Sequence, residues 1–536
     1  MTEKFFLFDN GNSTHGDRIT PEVIGFKAFN LMRMARIGLP IPPGFVISTE
    51  YCHEYISNNK QLPINFEKVL QQSIQILEKF TGCTFAGPRK PLLVSVRSGA
   101  AISMPGMMST ILNIGLSHET VEGLLRMTGN PRFIWDSYRR LIQYFAEVVY
   151  GCSADPYENV LDKQIKKEEL HRASELDAET LKMVVEEYLG IFSDQVGFPF
   201  PQRPIDQLRQ SIEAVFNSWE SSRCIEFRKI HKIRNLLGTA VTIQTMVFGN
   251  MGLTSGSGVA FTRNPSTGAK ELYGEFLFNS QGEDIVSGRR TPQGLGKLGK
   301  WLPNIQQQLN TIGNRLEIEF KDMQEFEFTI QEENLFILQS RNGKKSPWAT
   351  LQTVVDMVNE GFISKDAAMK RLKLYDLSDV KRTKIVRSLS SNTEAISSGI
   401  SACPGIAIGE VTFDSETAKE KSSSGKSIIF VRDNISTTDL VGIIACQGIL
   451  TRTGGKTSHA AVVARQMNKA CIVGCSGVRI NMKDRTCQVG DKLLKEGDIV
   501  SLDGNTGNVY VGEVELETEY PESLLSEIQN WKIVGN

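Results

Sequence analysis

The spacing of hydrophobic positions divides the chain into segments of different character. Residues 27–37 repeat apolar positions with the period of a helix and end at Gly38, a residue type common just after helices. Short apolar runs at 45–48 and 92–96 predict strands. Residues 116–235 predict a mostly helical region. The first 235 residues therefore predict a mixed α/β region followed by helices.

The second half of the chain predicts strands first and then a compact α/β unit. Residues 241–248 and 271–278 alternate as strands do, within a strand-rich block at about 238–342. The glycine-rich residues 254–258 could offer backbone amides to a phosphate, although such a stretch is more often a plain turn. Two short helices are expected within 348–374. Residues 388–398, rich in Ser, Asn and Thr, predict a linker to a compact α/β unit.

Length and composition agree with a multi-domain α/β protein. At about 150 residues per domain, 536 residues predict three or four domains. The net charge of −1 provides no field to recruit nucleic acid or an acidic membrane, and no apolar run is long enough for a membrane span. The amino terminus has no signal-peptide pattern. Nine cysteines without a CxxC pair indicate reduced thiols, and we expect a cytoplasmic protein.

The most informative motif surrounds His459. It reads Gly454-Gly455-Lys456-Thr457-Ser458-His459-Ala460-Ala461-Val462-Val463-Ala464-Arg465. Thr and Ser are helix-capping residues, and the Ala/Val run predicts a buried helix, which places His459 at a helix N-terminus. Free amides and the helix dipole favour an anion there and keep the imidazole neutral and nucleophilic. A histidine that carries a phosphoryl group needs both properties, although a lone histidine is more often structural.

A second candidate site lies in the predicted hairpin 325–341, which has a polar tip. Folding the strands about that tip places Glu327 opposite Gln339 and Glu325 opposite Arg341, with all four side chains on one face. Two carboxylates, an amide oxygen and a guanidinium can hold Mg²⁺ and a triphosphate. The alternative is a solvated face with an ordinary Glu325–Arg341 ion pair.

Two further cations suit a nucleotide site. Lys27 stands at the start of a predicted helix after Gly25, and Arg97 leaves a buried strand for a Gly/Met-rich loop. Each is a weak signal alone, because a lysine at a helix start is usually a solvated charge.

Together these motifs resemble a known family. Residues from about 20 to 515 resemble the N-terminal two thirds of the pyruvate phosphate dikinase members of the pyruvate phosphate dikinase and phosphoenolpyruvate synthase family. Besides the His459 motif, the matching segments are Gly25-Phe26-Lys27-Ala28-Phe29-Asn30-Leu31, Ser95-Val96-Arg97-Ser98-Gly99-Ala100, Ser103-Met104-Pro105-Gly106-Met107-Met108, Asp136-Ser137-Tyr138-Arg139-Arg140, Gln244-Thr245-Met246-Val247-Phe248-Gly249-Asn250, Gly258-Val259-Ala260-Phe261-Thr262-Arg263-Asn264-Pro265-Ser266-Thr267-Gly268, Gln281-Gly282-Glu283-Asp284, Leu502-Asp503-Gly504 and Thr506-Gly507.

The resemblance implies both domains and chemistry. An ATP-grasp nucleotide-binding domain is expected at 1–342, with a helical insertion at 116–235, and a swivelling phosphohistidine domain at 399–514. Residues 343–398 are then a helical segment and linker, and 515–536 a C-terminal tail. His459 is expected to take a pyrophosphoryl group from ATP with release of AMP, after which the terminal phosphoryl group passes to inorganic phosphate.

The resemblance also assigns the nucleotide and metal residues. Lys27, Arg97 and Arg341 are expected to bind the ATP phosphates, with Glu283 at the nucleotide site. The metal is expected to be Mg²⁺, and its ligands are Glu327 and Gln339.

The chain departs from the family pattern at several places. Lys456 stands where the dikinases have Met and is more like the synthases; Ser109 and Glu325 each replace an Asp. Thr457 matches a position that some members regulate by phosphorylation. The family's pyruvate-binding barrel needs about 250 residues, and residues 513–536 are too few for it. We therefore expect a phosphoryl acceptor, a domain or a protein, that is supplied in trans.

Three functions remain open on sequence alone. The first is the histidine phosphotransferase with its acceptor in trans. The second is a kinase for a small metabolite other than pyruvate, and the third is a regulatory or carrier phosphohistidine protein without turnover. The sequence also leaves open the oligomeric state and whether phosphate or water takes part in the ATP half-reaction.

Overall fold

The computed structural model describes residues 4–9, 12–13, 19–102, 104, 110–170, 172–286, 290–386, 394–435, 439–456 and 458–533. Internal contacts group the chain into two compact units. The first is Met1–Met251 with Phe336–Ser340, and the second is Gly252–Leu335 with Arg341–Asn536. Both combine helices with sheets, which confirms the predicted multi-domain α/β class.

An antiparallel sheet of six strands organises the first unit. The strands of this unit are β1 (Phe5–Asp9), β2 (Asn12–Ser13), β3 (Gly44–Ile47), β4 (Thr84–Phe85), β5 (Pro91–Leu92), β6 (Val94–Gly99), β7 (Thr110–Ile114) and β8 (Ala240–Thr245). The sheet order is β2-β1-β3-β8-β6-β7, and β4 pairs separately with β5. Strand β8 confirms the strand predicted at 241–248, and every residue of β8 is buried. This strand runs between β3 and β6 and is covered by helices.

Helices fill the rest of the first unit. They are α1 (Pro21–Ile24), α2 (Phe26–Arg36), α3 (Thr49–Ser57), α4 (Phe66–Thr81), α5 (His118–Thr128), α6 (Pro131–Tyr150), α7 (Asp155–Lys167), α8 (Ala178–Val196), α9 (Pro204–Ser218) and α10 (Ser222–Ile230). Helices α5 to α10 form the helical region predicted for 116–235. One apolar core runs from Val96 and Ile243 in the sheet to Phe145 and Phe192 in these helices.

A five-stranded sheet opens the second unit, except that Phe336–Ser340 of its last strand group with the first unit. Its strands are β9 (Gly256–Phe261), β10 (Tyr273–Phe278), β11 (Gln293–Gly294), β12 (Gln324–Gln331) and β13 (Asn334–Asn342), in the order β11-β10-β9-β12-β13. Helices α11 (Gly282–Val286), α12 (Leu295–Trp301) and α13 (Pro303–Phe320) interrupt this strand-rich block.

The prediction that residues 254–258 offer their backbone amides to a phosphate is partly wrong. Residues 256–258 lie in β9, where their backbone pairs with β10 and β12. A Cβ added to Gly258 would overlap the ring of Phe328. The glycine at 258 therefore serves close packing inside the sheet.

The remainder of the second unit carries the His459 motif. Its strands are β14 (Arg382–Ile385), β15 (Ser397–Ser398), β16 (Ile400–Cys403), β17 (Ile406–Thr412), β18 (Ile428–Arg432), β19 (Gly448–Thr451), β20 (Ala470–Val473), β21 (Val478–Asn481), β22 (Thr486–Val489), β23 (Lys492–Lys495), β24 (Ile499–Asp503), β25 (Asn508–Val511) and β26 (Leu516–Glu519). An eight-stranded sheet has the order β15-β25-β24-β17-β18-β19-β20-β16. Its centre, β17 to β20, is parallel. Strands β21 to β23 form a separate small sheet.

Helices cover this region and flank it. They are α14 (Pro347–Asn359), α15 (Lys365–Leu372), α16 (Ser415–Ser423), α17 (Leu440–Ala445), α18 (His459–Gln466) and α19 (Glu522–Ile533). The two helices predicted within 348–374 are α14 and α15. Helix α19 packs on them, because Ile528 and Trp531 share an apolar cluster with Leu351 and Val355. In the part of the chain that the structure describes, no helix has the length and apolar character needed to cross a bilayer.

Candidate functional site

His459 is the first residue of helix α18, which confirms its predicted location at a helix N-terminus. Ser458 is the N-cap, and its hydroxyl accepts the Ala461 N–H at 3.5 Å. The next residues, Ala460 and Ala461, are buried, as the Ala/Val run predicts. Thr457 and the His459 side chain lie outside the described part of the structure. The first amides of α18 thus provide the positive helix end that favours an anion.

The loop before His459 is tied to its own helix by Arg465. This side chain donates to the Lys456 carbonyl at 2.6 Å and to the Ala402 carbonyl at 2.9 Å. Gly454 adopts a φ of 109°, a conformation that favours glycine. The position of Lys456 is therefore coupled to the start of α18.

The same loop rests on the five-stranded sheet, which belongs to the same unit. The Lys456 N–H donates to Glu275 Oε2 at 2.6 Å, and the Lys456 Nζ lies 3.0 Å from the centre of the Tyr273 ring. A Cβ added to Gly455 would stand 2.7 Å from Glu275 Oε2 and closer still to the Pro292 ring. The loop thus fits against strand β10 with little space between them.

Glu275 and Glu327 lie on one face of that sheet. Val259 on β9 is directly opposite Glu275 on β10 and Glu327 on β12. Directly opposite residues in antiparallel strands share a face. Two strand spacings of about 4.8 Å separate the two carboxylate-bearing residues by about 10 Å. The docked loop is therefore close to the predicted metal ligand Glu327.

The hairpin has the predicted division into two faces. Phe326, Phe328 and Ile330 are buried on the core side. On the other side, Arg341 donates to Glu325 Oε1 at 2.5 Å, and Glu325 is 8% exposed. This ion pair confirms the expected Glu325–Arg341 neighbours. The turn is made by Glu332 and Glu333, both at positive φ.

Glu327 has the properties expected of a metal ligand. The described part of the structure gives its half-buried carboxylate no hydrogen-bond donor. No group of three or more Asp, Glu, His or Cys side chains that could hold a metal occurs among the described residues. Mg²⁺ in nucleotide sites is commonly held by one or two protein oxygens together with substrate phosphates and water. The half-buried carboxylate of Glu327 is an oxygen donor of that kind.

Glu283 is carried by the short helix α11. Ile285 of this helix packs against Val259 and Leu277. Both apolar residues lie on the sheet face that presents Glu275 and Glu327. Helix α11 therefore brings Glu283 to the side of the sheet on which the loop is docked.

Lys27, Arg97 and Gln339 belong to the first unit, where their elements touch one another. The Phe26 N–H at the start of α2 donates to the Ala100 carbonyl at the end of β6, at 2.9 Å. One turn along α2, Asn30 Nδ2 donates to the Ser340 carbonyl at 2.9 Å. The helix of Lys27 thus contacts both the strand of Arg97 and the strand of Gln339.

The close approach of these elements depends on Gly25. This residue has a φ of 77°, and a Cβ placed on it would collide with the Gly99 carbonyl. Gly25 therefore lets the N-terminus of α2 lie directly against the end of β6.

The structure divides the predicted site residues between the two units. Lys27, Arg97 and Gln339 are brought together in the first, and the remaining four, Glu283, Glu327, Arg341 and His459, lie in the second.

Sequence reasoning missed the residues that receive the His459 loop. Glu275 is 2% exposed, and burial raises its carboxyl pKa, although Lys456 opposes the shift. Burial also lowers the pKa of Lys456, against the effect of Glu275. The sequence did give a signal for Glu275, because it is a charged residue between a glycine and a phenylalanine in a predicted strand. Tyr273 carried no such signal.

Comparisons with known proteins identify two domains. Residues 60–299 match the family model described as pyruvate phosphate dikinase, AMP/ATP-binding domain. Residues 425–507 match the model described as PEP-utilising enzyme, mobile domain. The first covers β10, and the second covers the His459 motif.

Curated relatives extend the similarity to nearly the whole chain. A pyruvate, phosphate dikinase of Clostridium symbiosum is 42% identical over 532 residues, which are 99% of this chain and 60% of that protein. A chloroplastic pyruvate, phosphate dikinase of Mesembryanthemum crystallinum is 44% identical over 529 residues, 99% of this chain and 56% of that protein. The chain thus spans less than two thirds of the length of these relatives. With both domain models and this level of identity, the chain belongs to the pyruvate phosphate dikinase family.

Proposed function

We propose that this chain transfers the pyrophosphoryl group of Mg²⁺-bound ATP to His459, releases AMP, and passes the remaining phosphoryl group to an acceptor bound in trans. The observation that carries the proposal is the hydrogen bond between the Lys456 N–H and Glu275, 2.6 Å long. It puts the loop of His459 on the sheet face that also presents Glu327. The names of the relatives support the same chemistry.

The first half-reaction exchanges one bond to the β-phosphorus for another. A neutral His459 nitrogen bonds to the β-phosphorus, and the bond to the α-phosphate oxygen breaks, so that AMP leaves. Inorganic phosphate then attacks the γ-phosphorus, and pyrophosphate leaves phospho-His459. Catalysis of such transfers is mostly positioning and charge stabilisation. Lys27, Arg97 and Arg341 are the cations we assign to the phosphates.

Glu327 and Gln339 are the protein ligands we assign to Mg²⁺, with Glu283 beside the nucleotide. Bound Mg²⁺ neutralises charge on the phosphate oxygens. The oxygen donors of the two side chains match its preference for hard ligands. Replacement of Glu327 by Gln removes one charge and leaves the shape of the side chain, which makes it the sharpest probe of this assignment.

The test uses ATP labelled at the β-phosphate. We expect the label to attach to the wild-type protein, with AMP formed in equal amount, and His459→Ala to abolish both. His118→Ala is the matched control, because His118 is also the first residue of a helix capped by a serine. Label on His459→Ala, or no label on the wild type, would contradict the proposal.

A second label separates phosphate from water as the co-substrate. With ATP labelled at the γ-phosphate, we expect added phosphate to release the label as pyrophosphate. Release as inorganic phosphate without added phosphate would mean that water takes the terminal phosphoryl group.

A further inference from the structure

We propose that Lys456 is a positioning residue for the reaction with ATP, an inference that rests on the proposed function. Its ammonium group, seated on the Tyr273 ring, fastens the His459 loop to the nucleotide-binding sheet. The contact favours the arrangement in which His459 faces ATP over the one in which it faces the acceptor.

The geometry is that of a cation–π contact partly sheltered from water. The Lys456 Nζ lies 3.0 Å from the ring centre, and the side chain is half-buried. Such contacts are stronger when they are shielded from solvent. Tyr273 is held in turn by a 3.4 Å hydrogen bond from its hydroxyl to the Ser401 carbonyl. At 3.4 Å this hydrogen bond is long, so the ring and not the hydroxyl carries the contact with the ammonium group.

The contact acts together with the backbone of the same residue. The Lys456 N–H is bound by Glu275 and its carbonyl by Arg465, at 2.6 Å each. Since Arg465 lies on α18 with His459, a shift of Lys456 moves the start of that helix. Lys456 has no need to touch ATP in order to affect the transfer.

The contact requires a charged lysine. Four groups face the ammonium: Glu275, Glu271, Arg465 and the Tyr273 ring. Burial lowers the pKa of Lys456, and the two carboxylates partly restore it. The lysine therefore loses its proton at a lower pH than a solvated lysine, and the contact weakens as the pH rises.

Four variants test the contact through the rate of His459 labelling. We expect Lys456→Met to slow labelling about tenfold at saturating ATP with the KM for ATP unchanged, since a desolvated cation–π contact is lost. Lys456→Arg retains the charge and should retain the rate, without the alkaline decline of the wild type. Tyr273→Leu should behave like Lys456→Met, and Tyr273→Phe like the wild type. Lys492→Met, at an exposed strand position, is the control.

Hydrogen exchange provides a readout that does not require any chemistry. We expect the peptide containing Lys456 to exchange about tenfold faster in Lys456→Met than in the wild type. The proposal is overturned if this peptide keeps its protection, or if Lys456→Arg is as slow as Lys456→Met. If the wild type takes up no label but the peptide containing Lys456 still exchanges faster in Lys456→Met, the proposed function is rejected and the docking contact is retained.

Discussion

Arg263 is a completely buried charge that is matched by carboxylates. Its guanidinium bonds to Glu317 at 2.9 Å, to Asp356 at 2.9 Å and to Glu360 at 3.0 Å. Glu317 is itself nearly inaccessible, with 2% of its side chain exposed. Removal of one partner from such a group leaves uncompensated charge in the interior. Arg263 therefore ties the end of β9 to helices α13 and α14.

We expect Arg263→Met to destabilise the protein by about 3–5 kcal/mol, because Glu317 keeps a buried charge without its partner. Urea denaturation followed by circular dichroism measures the loss. The control is Arg126→Met, which breaks an ion pair whose side chains are 67% and 70% exposed. Exposed pairs contribute about 0–1 kcal/mol. Similar effects of the two substitutions would mean that the buried network is not required for stability.

Contacts between residues that are close in the sequence could be predicted, whereas contacts between residues far apart in the sequence could not. The pairing of Glu325 with Arg341 follows from a single hairpin, so the cross-strand rule was sufficient. Glu275 and Lys456 are 181 residues apart, and no local periodicity links them. The charged partner of a loop can be identified only after the fold has brought the two segments together.

At the level of elements, caps and turns were predictable and sheet membership was not. Ser458 begins a helix through its side-chain hydroxyl, and Gly38 ends one through its positive φ. Strand β8 joins the first sheet, although the next strand in sequence, β9, belongs to the other unit. Gly258 gave the signal of a loop and lies in a central strand, because its missing side chain leaves room for Phe328.

The fit between the loop 454–456 and strand β10 leads to a prediction at Gly455. Its φ is not positive, so alanine is compatible with the backbone. The added methyl group meets Pro292 and Glu275 only when the loop is docked. Overpacking of this kind costs about 1–3 kcal/mol. We therefore expect Gly455→Ala to slow His459 labelling by about tenfold or more without lowering the thermal unfolding midpoint.

Gly190→Ala is the matched control for this substitution. Gly190 lies in helix α8, and an added Cβ meets nothing within 4 Å. Its labelling rate should equal that of the wild type. Labelling of Gly455→Ala at the wild-type rate would show that the tight fit does not occur during the reaction.

For the whole molecule, the strands on either side of the mobile domain form one ribbon. Strand β14 pairs with β26 in antiparallel register, so that Thr383 faces Thr518. Arg382 and Glu519 add an ion pair of 3.0 Å at one end. The chain thus enters and leaves this region side by side. Nothing in either sequence segment alone predicts this pairing.

The last prediction concerns the acceptor of the proposed reaction. After labelling at His459 and removal of ATP, we expect pyruvate alone to leave the label on the protein. We then add pyruvate together with a second polypeptide, the part of a relative that this chain does not match. This polypeptide should discharge the label at a rate proportional to its concentration. Lys492→Met, remote from the docking contact, should discharge at the wild-type rate. Discharge by pyruvate alone would place the acceptor site within this chain and remove the need for a partner in trans.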